Sequence, residues 1–145
     1  MIKVKKRLHV PYTTAEMYNL VNDIEHYPLF LPGCRAAFIH TRSDKELTAT
    51  IKVAKKGLEY ALTTVNSLEA NHRIEMRLVD GPFKQLEGTW QFKALSEGGC
   101  AVDIDLAFAF KSKLFALAVG PFVSFMTDSM IEAFLARAKH LYAKT

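Results

Sequence analysis

Asp103 and Asp105 stand two residues apart and have the side-chain type for general acid/base work. In a strand that spacing puts both on one face, while Val102, Ile104, Leu106, Phe108 and Phe110 take the other. The pair therefore reads as solvation of an outer face. The five histidines, His9, His26, His40, His72 and His140, are dispersed, and no two have the i, i+4 spacing of a helical metal motif. Cys34 and Cys100 show neither CxxC nor Cys/His ligand spacing, and they read as buried small hydrophobes in a reducing cytosol. There is no nucleophile elbow, P-loop or dinucleotide-binding glycine pattern. What the chain offers instead is apolar. Trp90, Phe92, Phe108 and Phe110 fall on predicted strands, and Phe115, Phe122, Phe125, Met126, Met130 and Phe134 fall on a predicted helix. Facing one another, they would line a cavity for a greasy ligand, and flexible methionines suit a pocket that adapts to its contents.

The elements that must position these residues follow from periodicity. Ile2, Val4, Leu8 and Val10 alternate with Lys3, Lys5, Arg7 and His9, which predicts a strand with one wet face and with Lys6 near a rim. Thr13 or Thr14 then caps a short helix carrying Met17, Tyr18, Leu20 and Val21, which must end before Tyr27-Pro28. From residue 35 to residue 110 the period is two and turn residues recur at meander spacing, so six more strands are expected. Gly88 is expected at a bend or bulge, and Asp80-Gly81-Pro82 as a tight turn with Phe83 at its tip. The segment from Ser112 to Ala143 predicts a long helix, broken or kinked at Gly120-Pro121, that covers the apolar face of the sheet. Its first half, Leu114 to Met126, is apolar on nearly every side and needs protein all round or something apolar beside it.

Length and charge bound the rest. At 145 residues, half of them hydrophobic, residues 1–145 form one domain with no linker or repeat, large enough for a core without disulfides or metals. The basic start of the chain runs into His9, Pro11 and Thr13, not into the apolar run of a secretory signal. Leu114 to Met126 is 13 residues long, short of the ~20 that cross a bilayer. The net charge of +4 is concentrated in Lys3, Lys5, Lys6 and Arg7 and in Lys52, Lys55 and Lys56. These clusters read as edge-strand protection, or as a patch for anionic lipid or RNA phosphates.

At Val10-Pro11, at Met17-Tyr18 through Asp23-Ile24, at Tyr27-Pro28, at Phe30-Leu31-Pro32, at Thr63-Thr64 with Asn66, and from Leu78 to Phe92 through Gly81, Gly88 and Trp90, the chain resembles the coenzyme Q-binding protein family. The bacterial members of that family include the ribosome association toxin A group, and the likeness continues in Ala133-Phe134 and Arg137-Ala138. The resemblance implies an α+β, START-like helix-grip fold: a curved antiparallel sheet of about seven strands around a long C-terminal helix. It implies a non-catalytic carrier or chaperone for ubiquinone or a similar isoprenoid lipid that supports respiratory electron transfer. It also implies the alternative of a toxin that binds the large ribosomal subunit and inhibits translation initiation. A cyclase-like enzyme of the wider superfamily is a third reading. No cofactor is required, and the expected location is cytoplasmic or peripheral at the inner membrane. Tyr27, Phe30, Leu31 and Pro32 form a stiff apolar loop that either lines the cavity mouth or packs into the core. Gly33 stands where many relatives carry tryptophan, which implies a wider mouth.

Overall fold

Thr13 starts the first helix with a reciprocal cap, its hydroxyl accepting from the Glu16 amide at 3.0 Å while the Glu16 carboxylate accepts from the Thr13 amide at 2.9 Å. That helix, α1 (Thr14–Asn22), buries Met17, Tyr18, Leu20 and Val21. A 3₁₀ turn over Ile24–Leu29 follows and carries Pro28 within it, so the chain continues in a tighter helical form where α1 was expected simply to stop. The computed structural model describes residues 1–55 and 57–143.

Seven strands form one antiparallel sheet: β1 (Ile2–Val10), β2 (Cys34–Arg42), β3 (Glu46–Lys55), β4 (Leu58–Glu69), β5 (Arg73–Asp80), β6 (Phe83–Ala94) and β7 (Cys100–Phe110). Their order is β1-β7-β6-β5-β4-β3-β2, a meander from β2 to β7 closed by the N-terminal strand. The registers keep the alternation read from the sequence. Leu8 lies opposite Val102, Trp90 opposite both Ile74 and Ile104, and Phe92 opposite Val102, so one face is predominantly apolar, with Lys6 and Asn66 as exceptions on it.

Gly88 is paired regularly with Met76 and Leu106, with no bulge at that point. The expectation of a bulge there is corrected. A Cβ at Gly88 would stand 2.5 Å from Leu106 Cδ2 and 2.7 Å from Met76 Cε, so the ends of those two flexible side chains, which close over the glycine, would have to move to admit one. Phe83 is likewise not a turn tip: it begins β6, is buried, and stacks on Phe110 at 5.5 Å.

The helical segment over the sheet is broken where Gly120-Pro121 predicted. α2 (Lys113–Val119) leads through a 3₁₀ turn into α3 (Val123–Tyr142). Phe134 and Ala138 of α3 are buried with Met17, Val21, Trp90, Phe92 and Val102, so α1, α3 and the concave face of the sheet share one core. The run Lys113–Tyr142 is long and apolar enough to cross a bilayer by length and composition, more than the 13-residue stretch suggested, and only 6% of its most apolar window is buried. Its C-terminal half is nonetheless tied to the sheet through Phe134 and Ala138.

Candidate functional site

The aromatic residues proposed to line a cavity fall into two clusters and an exposed set. The inner cluster is centred on Phe134, whose ring lies 5.3 Å from Trp90, 5.6 Å from Tyr27 and 5.5 Å from Phe30. Phe92 stacks on Trp90 and meets Tyr18 edge-on at 5.9 Å. Burying the rings of Tyr18, Trp90, Phe92 and Phe134 stabilises the fold by about 1.5–3 kcal/mol each, while Tyr27 and Phe30 pack half-buried beside them. Trp90 and Phe92 are buried side chains of the core and line neither of the two open clefts described below. The Tyr27–Pro32 loop packs against this core in part. Tyr27 donates from its hydroxyl to the Val21 carbonyl, and its burial raises the pKa of the phenol. Leu31 is buried, Pro32 is exposed, and Arg137 lays its guanidinium 5.4 Å over Phe30. Gly33 has φ +81°, so the glycine serves a left-handed turn whatever the width of the mouth.

The outer cluster lies at the α2 end. Phe115 meets Tyr60 at 5.7 Å and Phe110 at 5.3 Å, while Phe83 joins Phe108, Phe110 and Tyr60. Phe108, Phe110 and Phe115 of the expected set meet here. Tyr60 and Phe83 were missed as site residues, although Tyr60 is in phase with Leu62 on the apolar face of β4. A cleft of about 390 Å³ opens beside this cluster, lined by Ile2, Phe108, Phe110, Lys84, Lys111 and Lys113 among others. A second cleft, about 810 Å³ and more polar, lies at the other end among Tyr18, Asn22, Asp23, Arg42, Leu68 and Tyr142. Nothing in the sequence reading pointed to it.

The rest of the expected set is more open: Phe122 is 47% exposed, Phe125 61% and Met130 40%, and Met126 is half-buried. From Lys113 to Met130 only Val119 is buried, because the chain's break at Gly120-Pro121 ends one helix before α3 turns its core stripe inward at Phe134 and Ala138. Leu114 and Leu117 are 79% and 75% exposed.

Polar groups on the concave side are few. Asn66, 3% exposed, accepts a hydrogen bond at 2.9 Å from the Thr64 hydroxyl. Cys34 and Cys100 are buried free thiols, each pushed up in pKa mainly by burial, which leaves them as unreactive hydrophobes. Among the described residues no three His, Cys, Asp or Glu side chains gather as metal ligands.

The basic strand is largely paired. Arg7 donates twice to Asp103, from Nε to Oδ1 at 2.6 Å and from Nη2 to Oδ2 at 2.9 Å. That bidentate contact holds the Asp103 carboxyl below the usual carboxylate range. Lys5 lies 3.8 Å from Asp105, and Lys6 reaches Asp128 of α3 at 3.4 Å. Lys3 is exposed, as is Lys52, whose ammonium sits 5.6 Å over the Phe38 ring. The side chains of Lys55 and Lys56 lie outside the described residues. Four strands separate β1 from β3, so the two basic clusters do not share adjacent strands.

A seven-stranded antiparallel sheet with a helix across its concave face defines the START and polyketide cyclase class. The chain belongs to the family described as polyketide cyclase / dehydrase and lipid transport, which matches residues 10–135. It is 41% identical over 143 residues to a ribosome association toxin, RatA, of Escherichia coli K12, covering 99% of this chain and 90% of that protein. It is 29% identical to the mitochondrial coenzyme Q-binding protein COQ10 of Drosophila melanogaster, over 93% of this chain and 57% of that protein. A START superfamily structure from Mycobacterium smegmatis superposes with a TM-score of 0.79 at 20% identity, covering 97% of this chain and 99% of that one.

Proposed function

We propose that this protein is a ribosome-associating toxin that binds the large subunit and inhibits translation initiation, acting in the cytoplasm by binding and without a covalent step. The observation that carries this reading is the 41% identity, over nearly the whole of both chains, to a protein named for ribosome association. The exposed cations support it. Among the described residues no ion pair holds Lys3 or Lys52, so both can face phosphates, whereas Lys5, Lys6 and Arg7 would first have to leave Asp105, Asp128 and Asp103. Sedimentation with purified ribosomal subunits tests the reading. The protein is expected with the large subunit at low salt and is expected to dissociate as salt rises. Free protein at the top of the gradient at every salt concentration, or protein on the small subunit, would overturn it.

A second reading is favoured by the outer aromatic cluster with its open cleft and by the relative named for coenzyme Q: the fold holds an isoprenoid quinone such as ubiquinone, or another apolar lipid, as ligand. Protein purified without detergent should then release such a molecule into an organic extract analysed by mass spectrometry. An extract free of lipid, from protein that also fails to take up added quinone, would refute it.

A further inference from the structure

We propose that the face made by α2 and the first half of α3 docks onto an anionic lipid bilayer, lying in the interface without spanning it. This is independent of the ribosome reading. Leu114, Leu117, Phe122 and Phe125 are 79%, 75%, 47% and 61% exposed along one short stretch of chain, and Met130 extends it. A set of large apolar side chains this concentrated marks a binding surface more often than bare solvent contact.

The charges around it select the occupant. Between Asp105 and Asp128 the chain carries no acid, and its only charges there are Lys111 and Lys113, at the start of α2. Lys84 joins them at the 390 Å³ cleft, whose other lining includes Ile2, Phe108, Phe110 and Ala116. Apolar side chains fringed by cations match a layer that offers acyl chains beneath anionic head groups. A second copy meeting this face about a two-fold axis would bring like charges together, because an isologous contact sets each patch on itself. RNA phosphates would satisfy the lysines but give Leu114 and Leu117 nothing to bury against. The burial of Phe134 and Ala138 in the core keeps the C-terminal half of α3 on the sheet, so the segment lies on the bilayer.

Flotation of the full chain with vesicles of phosphatidylcholine, alone or mixed with phosphatidylglycerol, tests the proposal. The protein should float with the anionic vesicles and stay behind with the neutral ones at physiological salt. The Leu114→Ser, Leu117→Ser double variant should lose about tenfold or more in vesicle affinity. Lys111→Gln with Lys113→Gln should abolish the preference for phosphatidylglycerol. All four positions are exposed, so both variants should keep the wild-type urea midpoint. The proposal is overturned if wild type does not float, or if it floats equally well with the leucine pair replaced. It is overturned too if wild type elutes as a dimer that the leucine variant converts to monomer, since a second copy then covers the face. Loss of large-subunit sedimentation in the leucine variant, with vesicle binding intact, would assign the face to the ribosome instead.

Discussion

Arg7 and Asp103 are separated by 96 positions in the chain and meet in a two-bond contact across β1 and β7. Because the pairing depresses the Asp103 carboxyl, its contribution to stability is present above the ordinary carboxylate pKa and disappears as pH falls through the lower folded-state value. Asp103→Asn should therefore cost up to about 1 kcal/mol near neutrality, and the gap from wild type should shrink as the solution is taken below about pH 4. Urea denaturation at several pH values checks this, and a gap that widens towards acid would contradict it. Gly88→Ala should cost no more than about 1 kcal/mol, since the added methyl meets only the flexible ends of Leu106 and Met76, which can turn aside; a loss of about 3 kcal/mol would show that they cannot. That Asp103 and Asp105 share the outer face was legible from the alternation alone. Their cationic partners were not, because a pairing between the first and last strands is a long-range event that spacing along the chain does not encode.

Among the elements, α3 holds the fold together through few residues. Phe134 meets Trp90, Tyr27 and Phe30, so Phe134→Ala should cost about 3–5 kcal/mol, while Thr13→Ala at the start of α1 should cost about 1 kcal/mol. Thermal and urea unfolding of both variants measure the difference, and similar losses would contradict this placement of the core. The strands and their faces were readable because a period of two leaves one choice of buried side wherever Leu, Ile, Val and Phe alternate with charge. The aromatic site was not, since Trp90, Phe92 and Phe108 all obey the same alternation, and periodicity cannot say which positions along a strand lie under α3 and which under α2. Phe122, Phe125 and Met130 have the residue types of a cavity wall, but residue type alone does not tell that they lie partly exposed at and beyond the break at Gly120-Pro121.

At the scale of the whole molecule, acids neutralise much of β1, and the free charge is dispersed over Lys3, Lys52 and the lysines near α2. If Lys3 and Lys52 each contact a phosphate, replacing either with Gln should lower the log–log salt slope of ribosome binding by about 1, and an unchanged slope would remove that residue from the contact. The proposed action, occupation of the large subunit, rests on the 41% identity to a protein named for ribosome association, and the exposed lysines are compatible with it. The most direct measurement is the rate at which purified small and large subunits join, followed by light scattering with increasing protein. Joining is expected to slow in proportion to the fraction of large subunits occupied. An unchanged joining rate with the large subunits saturated by protein would contradict it.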